Sequence, residues 1–250
     1  MSPEFRALVN EHMLAGLDAQ IAFAEFQDGR PFQIDLEAGQ IMVEGRPPVA
    51  LAVVGTWAMA PTNSFLWAWA NPGWRDLPEP VLRAAHALKS HGDAHGVAEL
   101  TAAELPAEDD TIGFHSLAIA RGLIGAEGGM QYVHGSGSAF FLMPDVPGIS
   151  DHPTRHIRVI TQGLQAYDLH AETAIRAYLS VKGYSFTTGA DGETRAQRGP
   201  HTLTLRYDAQ GRLTDLSGQI SPDHPPAPPR PEPTPEPKRS GGLLGRLFKR

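Results

Sequence analysis

Apolar residues recur at Phe5, Leu8, Val9, Met13 and Leu17, a three-to-four spacing that gathers them on one stripe of a helix. Ser2, Pro3 and Glu4 stand just before them: a capping hydroxyl, a ring pre-set for a first turn, and an early acid. Together they predict an amphipathic helix to about residue 19. From Ile21 the pattern changes to alternation, with Ile21 and Phe23 leading into Asp28-Gly29, a strong two-residue hairpin signal. With Gln27 opposite Arg30, Phe23 faces Ile34 and Ile21 faces Leu36, so the apolar residues of both predicted strands share a face. Glu37-Ala38-Gly39 turns the chain again, Ile41 and Val43 continue the sheet, and Pro47-Pro48 interrupts it.

The densest apolar stretch runs from Val53 to Trp74 and holds all four tryptophans, Trp57, Trp67, Trp69 and Trp74. Pro61-Thr62-Asn63-Ser64 reads as a turn between strands of about residues 50–60 and 64–70. Pairing Ala60 with Phe65 puts Trp57 on one face with Leu66, Ala68 and Ala70. Phe65, Trp67 and Trp69 then take the other, with Thr56, Ala58 and Ala60. Both faces are apolar, which predicts central strands covered on each side. A Trp57–Trp67 cross-strand pair would overturn this register.

Beyond Asn71-Pro72-Gly73, Val81, Leu82, Ala85 and Leu88 predict a helix stopped by Gly92. Residues 93–108 read as loop with a short extended piece at Val97–Leu100. Asp109 or Asp110 caps a helix carrying Ile112, Phe114, Leu117 and Ile124, which ends at Gly125. A hairpin joins Met130–His134 to Ala139–Met143 through Gly135-Ser136-Gly137. Residues 144–153 form a loop and the expected internal boundary. Two further helices follow, on Ile157, Ile160, Leu164 and Tyr167, and on Ile175, Tyr178 and Leu179 with Asp168 as cap. Two or three strands close the domain near 184–188, 201–207 and 212–220, with Ala209-Gln210-Gly211 as a turn. The pattern predicts an α+β fold with a mostly antiparallel sheet: an N-terminal helix, a five-strand meander, and helices packed on it. No β-α-β alternation is seen.

At Gly55-Thr56-Trp57 and Trp67-Ala68-Trp69-Ala70-Asn71-Pro72, followed by the helix from Leu77, the chain resembles a bacterial family of unknown function marked by a G-T-W strand and a W-A-W-A-N-P segment. The likeness covers roughly residues 5–145. It implies an intracellular bacterial α+β domain and transfers no catalytic residue.

Charge changes the picture by its distribution. Formal net charge is -7, but residues 1–221 hold 15 Lys+Arg against 25 Asp+Glu, while residues 222–250 hold 6 against 3. An acidic body argues against nucleic-acid binding, which leans on cationic contacts to phosphate. The sequence has no cysteine, which excludes disulfides and thiolate chemistry and suits a reducing cytoplasm. The N-terminus shows no basic-then-apolar signal pattern. No apolar run approaches the ~18 residues of a membrane-spanning helix.

Candidate chemistry is thin. His91-Gly92-Asp93-Ala94-His95 has the spacing of a metal pair, but its glycine predicts a solvated loop, not the helix that aligns such ligands. His152-Pro153-Thr154-Arg155-His156 has the same spacing and a proline against a helix. Gly122 to Gly129 follows a helix and lacks the Lys-Ser/Thr of a phosphate loop. His134-Gly135-Ser136-Gly137-Ser138 is explained by a hairpin turn, and Glu104, Glu108, Asp109 and Asp110 by a solvated face with a helix cap. No catalytic residue, metal ligand or cofactor is assigned. The tryptophans read as core, leaving the exit of the central strand, at Trp69, Asn71 and Trp74, as the candidate ligand groove; the alternative there is Asn71 capping a turn.

Residues 222–237 contain nine prolines, a composition that forms neither helix nor ladder and predicts a disordered, extended spacer. Beyond it, residues 238–250 carry five basic residues and no acid. As a helix, Leu243, Leu244, Leu247 and Phe248 make an apolar edge flanked by Arg246, Lys249 and Arg250. The preferred reading is a cytoplasmic, non-enzymatic binding or adaptor domain (1–221) on a linker (222–237). Residues 238–250 then dock it on a protein partner or an anionic membrane surface at the inner face of the membrane. The alternative is an enzyme or small-ligand binder with its cleft near Trp69, Asn71 and Trp74.

Overall fold

The computed structural model describes residues 1–220 apart from 60, 136 and 191. Its first helix, α1, spans Pro3–Gln27, and the Ser2 hydroxyl caps it by accepting from the Phe5 amide at 3.1 Å. The helix runs well past the predicted end, so the alternation at Ile21 and Phe23 is not a strand and the expected Phe23–Ile34 pairing does not form. Asp28 and Gly29 do take the left-handed backbone of a two-residue turn, with φ of 52° and 70°. They use it to end the helix, the Asp28 amide donating to the Ala24 carbonyl at 2.9 Å. The physical reason is that α1 is buried on several sides. Phe5, Val9 and Met13 enter one hydrophobic cluster, Phe23 and Phe26 a second, and Leu14 and Ala15 a third. A helix covered in this way shows no single stripe, and its last turns imitate alternation.

Strands β1 (Phe32–Asp35), β2 (Gln40–Val43) and β3 (Val49–Ala50) form a three-stranded antiparallel sheet, turned at Gly39, where φ is 65°. Leu51 alone separates β3 from β4 (Ala52–Ala58), yet β4 belongs to a second sheet. That sheet also holds β5 (Ser64–Trp67), β6 (Glu104–Pro106), β7 (Gly128–His134) and β8 (Gly137–Met143), in the order β6-β5-β4-β8-β7. The expected continuous meander is thus two sheets, both antiparallel, and the fold is α+β. As predicted, β4 is central and covered on both faces: Ala52, Val54 and Trp57 enter the first cluster and Val53 the second.

The register of the tryptophan-rich pair differs from the predicted one. Trp57 pairs with Phe65 and Gly55 with Trp67. This displaces the pairing by an odd number of residues, which flips faces, so Trp57, Phe65 and Trp67 share a side. Gly55 makes this possible: a Cβ there would lie 2.5 Å from Phe65 Cζ, so only glycine lets that ring lie across the strand. Phe65 in turn meets Trp67 edge-on, with centroids 4.9 Å apart. The sheet ends at Trp67, because Ala68–Ala70 winds into a 3-10 turn and carries Trp69 out of the ladder.

Helix α2 (Glu79–His95) runs through Gly92 and stops at Gly96, with φ 70°, so His91 to His95 is a helical turn and not the predicted loop. Gly92 is buried under Leu100 of the short α3 (Ala98–Thr101), a contact that a larger side chain would block and that replaces the expected extended piece. Asp109 Oδ1 accepts from the Thr111 amide at 2.9 Å and starts α4 (Thr111–Ile124), which Gly125 ends as expected. Helix α5 (Pro153–Ala166) begins at Pro153 itself, where the missing N–H is not needed; the ring favours this helix start instead of opposing it. Helix α6 (Ala171–Val181) is capped by His170, not Asp168, which pairs with Arg6 at 3.2 Å. Strands β9 (Ser185–Thr188), β10 (Thr194–Arg198), β11 (His201–Tyr207) and β12 (Leu213–Gln219) form a third sheet in the order β12-β11-β10-β9. The polar run of β10 hides it from pattern reading, since Thr194 and Ala196 alone turn inward. Among the described residues no helix is long and apolar enough to cross a membrane.

Candidate binding cleft

The second hydrophobic cluster lies between the three-stranded sheet and one face of the five-stranded sheet, and it does not close at one end. Phe32 and Ile34 of β1 face Thr56 of β4, Ala139 and Phe141 of β8 and Tyr132 of β7 across a cleft of about 840 Å³. The opening follows from side-chain size. Where β1 presents a ring and a branched chain, the facing sheet presents Thr56 and Ala139, directly paired across β4 and β8, and these do not fill the gap. Trp74 and Leu36 close the sides, and Trp57 borders the floor while its indole donates to the Ala107 carbonyl at 3.1 Å.

One wall is a chain of rings. Phe23 meets Phe32 edge-on at 6.2 Å, Phe32 meets Tyr132 edge-on at 6.1 Å, and Tyr132 lies 6.3 Å from His134. Tyr132 keeps 38% of its surface exposed at the mouth. Apolar surface of this kind gains by being covered, at roughly 25 cal/mol per Å². Polar groups are few. The Ser138 hydroxyl accepts from Gln131 Nε2 at 2.8 Å, and the same amide donates to Asp110. The side chains of Gln33 and His134 line the cleft and have no hydrogen-bond partner among the described residues, so both are free to meet a ligand.

The structure separates the three residues of the predicted groove. Trp74 borders this cleft, whereas Trp69 and Asn71 border another cavity of about 450 Å³ with Arg75, Glu79 and His86. Asn71 Oδ1 accepts from the Gly73 amide at 2.9 Å, which is the capping role. Trp69 lies beneath Lys89, whose Nζ is 5.4 Å from the ring centroid, and its indole N–H is buried without a partner. Phe32, Tyr132 and Phe141 escape sequence reading, because the gap they border is set by residues that arrive from other strands.

The His91–His95 pair is aligned after all, its rings stacked with centroids 4.1 Å apart. His95 Nδ1 lies 3.0 Å from the His91 carbonyl. Burial first, then the neighbouring His95, holds His91 below the ordinary histidine value. His156, from the other spacing, is buried between Asp151 at 2.8 Å and the Tyr184 hydroxyl at 3.1 Å, a packed core histidine. Among the described residues no group of three or more His, Asp or Glu side chains is placed to hold a metal ion. Three of the four acids are engaged locally: Glu104 takes the Ser64 hydroxyl, Asp109 accepts from the Thr111 amide at the start of α4, and Asp110 accepts from Gln131. Leu243, Leu244, Arg246, Leu247, Phe248, Lys249 and Arg250 lie outside the described residues.

Comparison with known proteins adds one match. A family model described as "Family of unknown function (DUF6882)" matches residues 6–146, more than half of the chain. No curated protein and no solved structure matches. The matched span holds every residue that lines the cleft.

Proposed function

The chain belongs to this family of unknown function, and from that premise we propose that its domain is a non-enzymatic binding module whose ligand occupies the cleft between the two sheets. The observation that carries the reading is the half-exposed aromatic wall of Phe32 and Tyr132 at the mouth of an unfilled gap. A cleft of this size with mostly apolar walls and a few free polar groups suits a small molecule with a flat apolar body and one polar end. Rings would stack on Tyr132 and Phe32, and Gln33 or His134 would take the polar end.

Ala139→Leu fills the gap from a sheet position and tests this directly. A thermal-shift screen of aromatic alcohols, amides and carboxylic acids, read with tryptophan fluorescence from Trp57 and Trp74, is expected to find compounds that stabilise the native chain. None should stabilise the Ala139→Leu variant. Equal shifts in both, or none in the native chain, would sink the reading.

The second part of the reading concerns residues 238–250, whose five basic residues and apolar edge favour docking on an acidic surface. On this view the nine prolines of residues 222–237 favour a spacer role for the segment between the domain and its docking end. In this reading the cysteine-free chain works in the cytoplasm, and its tail meets either the inner face of the membrane or an acidic groove on a protein. Co-sedimentation with anionic vesicles, lost on deletion of 238–250, supports the membrane. Pulldown of a protein by the native chain and not by the deletion supports the partner. No difference in either assay removes the tether.

A further inference from the structure

A second cavity, of about 640 Å³, opens between α1, the end of α4, the loop at 145–151 and the facing ends of α5 and α6. Its walls are charged where the first cleft is aromatic. Arg155 Nε holds Asp18 at 2.6 Å and its Nη1 holds Glu25. Lys182 Nζ holds Asp18 at 2.6 Å and reaches Asp151 at 3.6 Å, while Arg198 holds Asp151 at 2.6 Å. Each of these cations faces a carboxylate.

Arg121 does not. It projects from the last turn of α4, lines the same cavity and is half-buried. Among the described residues no carboxylate lies within 4.0 Å of its guanidinium, no acceptor takes its N–H groups, and its Nε is buried without a partner. Burial works against its charge, and the more distant Asp18 and Glu127 do not make up the loss. A half-buried cation without a counter-ion costs stability, and an anion bound beside it would remove that cost.

We propose that Arg121 anchors a ligand site in this cavity, separate from the aromatic cleft, and that the site takes a small zwitterionic carboxylate of amino-acid size. The fork of a guanidinium matches a carboxylate through two parallel hydrogen bonds. Lys182 lines the same cavity, but its charge is taken up by Asp18 and Asp151, which leaves Arg121 as the cation open to an anion. Glu127 and Asp145 line the cavity from exposed positions and have no cationic partner among the described residues. They repel a polyanion such as phosphate and favour an ammonium group. Asp18 and Asp151 are already neutralised by their ion pairs, so they leave the carboxylate end of the site to Arg121.

The test is a melting series of the full chain with the twenty L-amino acids, acetate and inorganic phosphate, each at millimolar concentration. At least one amino acid is expected to raise the melting temperature, acetate to raise it less, and phosphate not at all. Arg121→Gln is expected to weaken amino-acid binding by about tenfold or more. Its unliganded form should melt no lower than the native chain, since a purely structural arginine would be missed and an unpaired one would not. Glu127→Gln, at an exposed position, should fold normally, weaken amino-acid binding and relieve the exclusion of phosphate. The proposal fails if no amino acid shifts the native chain, if the shift survives Arg121→Gln, if phosphate matches the best amino acid, or if unliganded Arg121→Gln melts well below the native chain.

Discussion

Asp18 sits midway along α1 with 4% of its surface exposed and accepts from both Arg155 and Lys182 at 2.6 Å. Burial alone would raise its pKa, but the two cations outweigh it and hold the carboxyl below its ordinary value. Removing one partner of such a pair leaves the other charge buried. Asp18→Ala is therefore expected to cost about 3–5 kcal/mol in urea denaturation, and Arg155→Met in the same chain to recover part of that loss. His115 behaves in the opposite sense. Burial first, then the charge of Arg6, pushes it down to about 4 from 6.5. Its Nδ1 is buried without a partner. Between those values the unfolded chain binds a proton that the folded chain refuses, so stability is full above about pH 6.5 and falls as pH drops toward 4. His91 and His156, also lowered, add to this slope. His115→Gln should flatten it, as read from unfolding midpoints across that window; an unchanged slope would show that His115 titrates alike in both states.

At the scale of elements, close approach between helices depends on small residues. Gly16 of α1 faces Ala118 of α4 so tightly that a Cβ would lie 2.4 Å from Ala118 Cβ and 2.6 Å from its Cα. Gly163 of α5 similarly receives Leu14, at 2.2 Å from its would-be Cβ. On an isolated helix Gly16→Ala would gain up to about 1 kcal/mol of propensity. Here the clash is with backbone, which cannot swing aside, so we expect a net loss of about 1–3 kcal/mol by denaturant titration. These contacts also explain what pattern reading could and could not see. The hairpin of β7 and β8 was legible because its turn glycines and alternating flanks lie within a few residues of each other. The last third of α1 was not, because what covers Phe23 and Phe26 comes from β1, β2 and the strands beyond. Tyr132 falls in a strand the sequence predicts, but the gap it borders depends on the small size of Thr56 and Ala139, which reach it from other strands.

For the whole molecule, α1 is the shared wall. Its residues enter all three hydrophobic clusters, so the two N-terminal sheets and the α5–β12 region are each packed against one helix. Met1–Ile220 form one compact unit. A chain ending at Ile220 should therefore unfold in a single transition at the same temperature as the full chain, measured by calorimetry; a fall of several degrees would mean that residues 221–250 contribute to the domain's stability. The family match ends at residue 146, between β8 and α5. The aromatic cleft falls inside the match, and the charged cavity takes Arg155 and Lys182 from beyond it.

The sequence by itself determined the features whose causes are local: the Ser2 cap, the end of α4 at Gly125, the turn at Gly39, the β7–β8 hairpin and the α+β class. Each rests on a hydrogen bond or a backbone preference spanning a few residues. Tertiary structure alone decided how far α1 runs, how Trp57 and Trp67 come to share a face, which predicted groove residues part company, and why Arg121 is left without a carboxylate. Those outcomes turn on which distant side chain arrives opposite, and how large it is, which no spacing along one segment records.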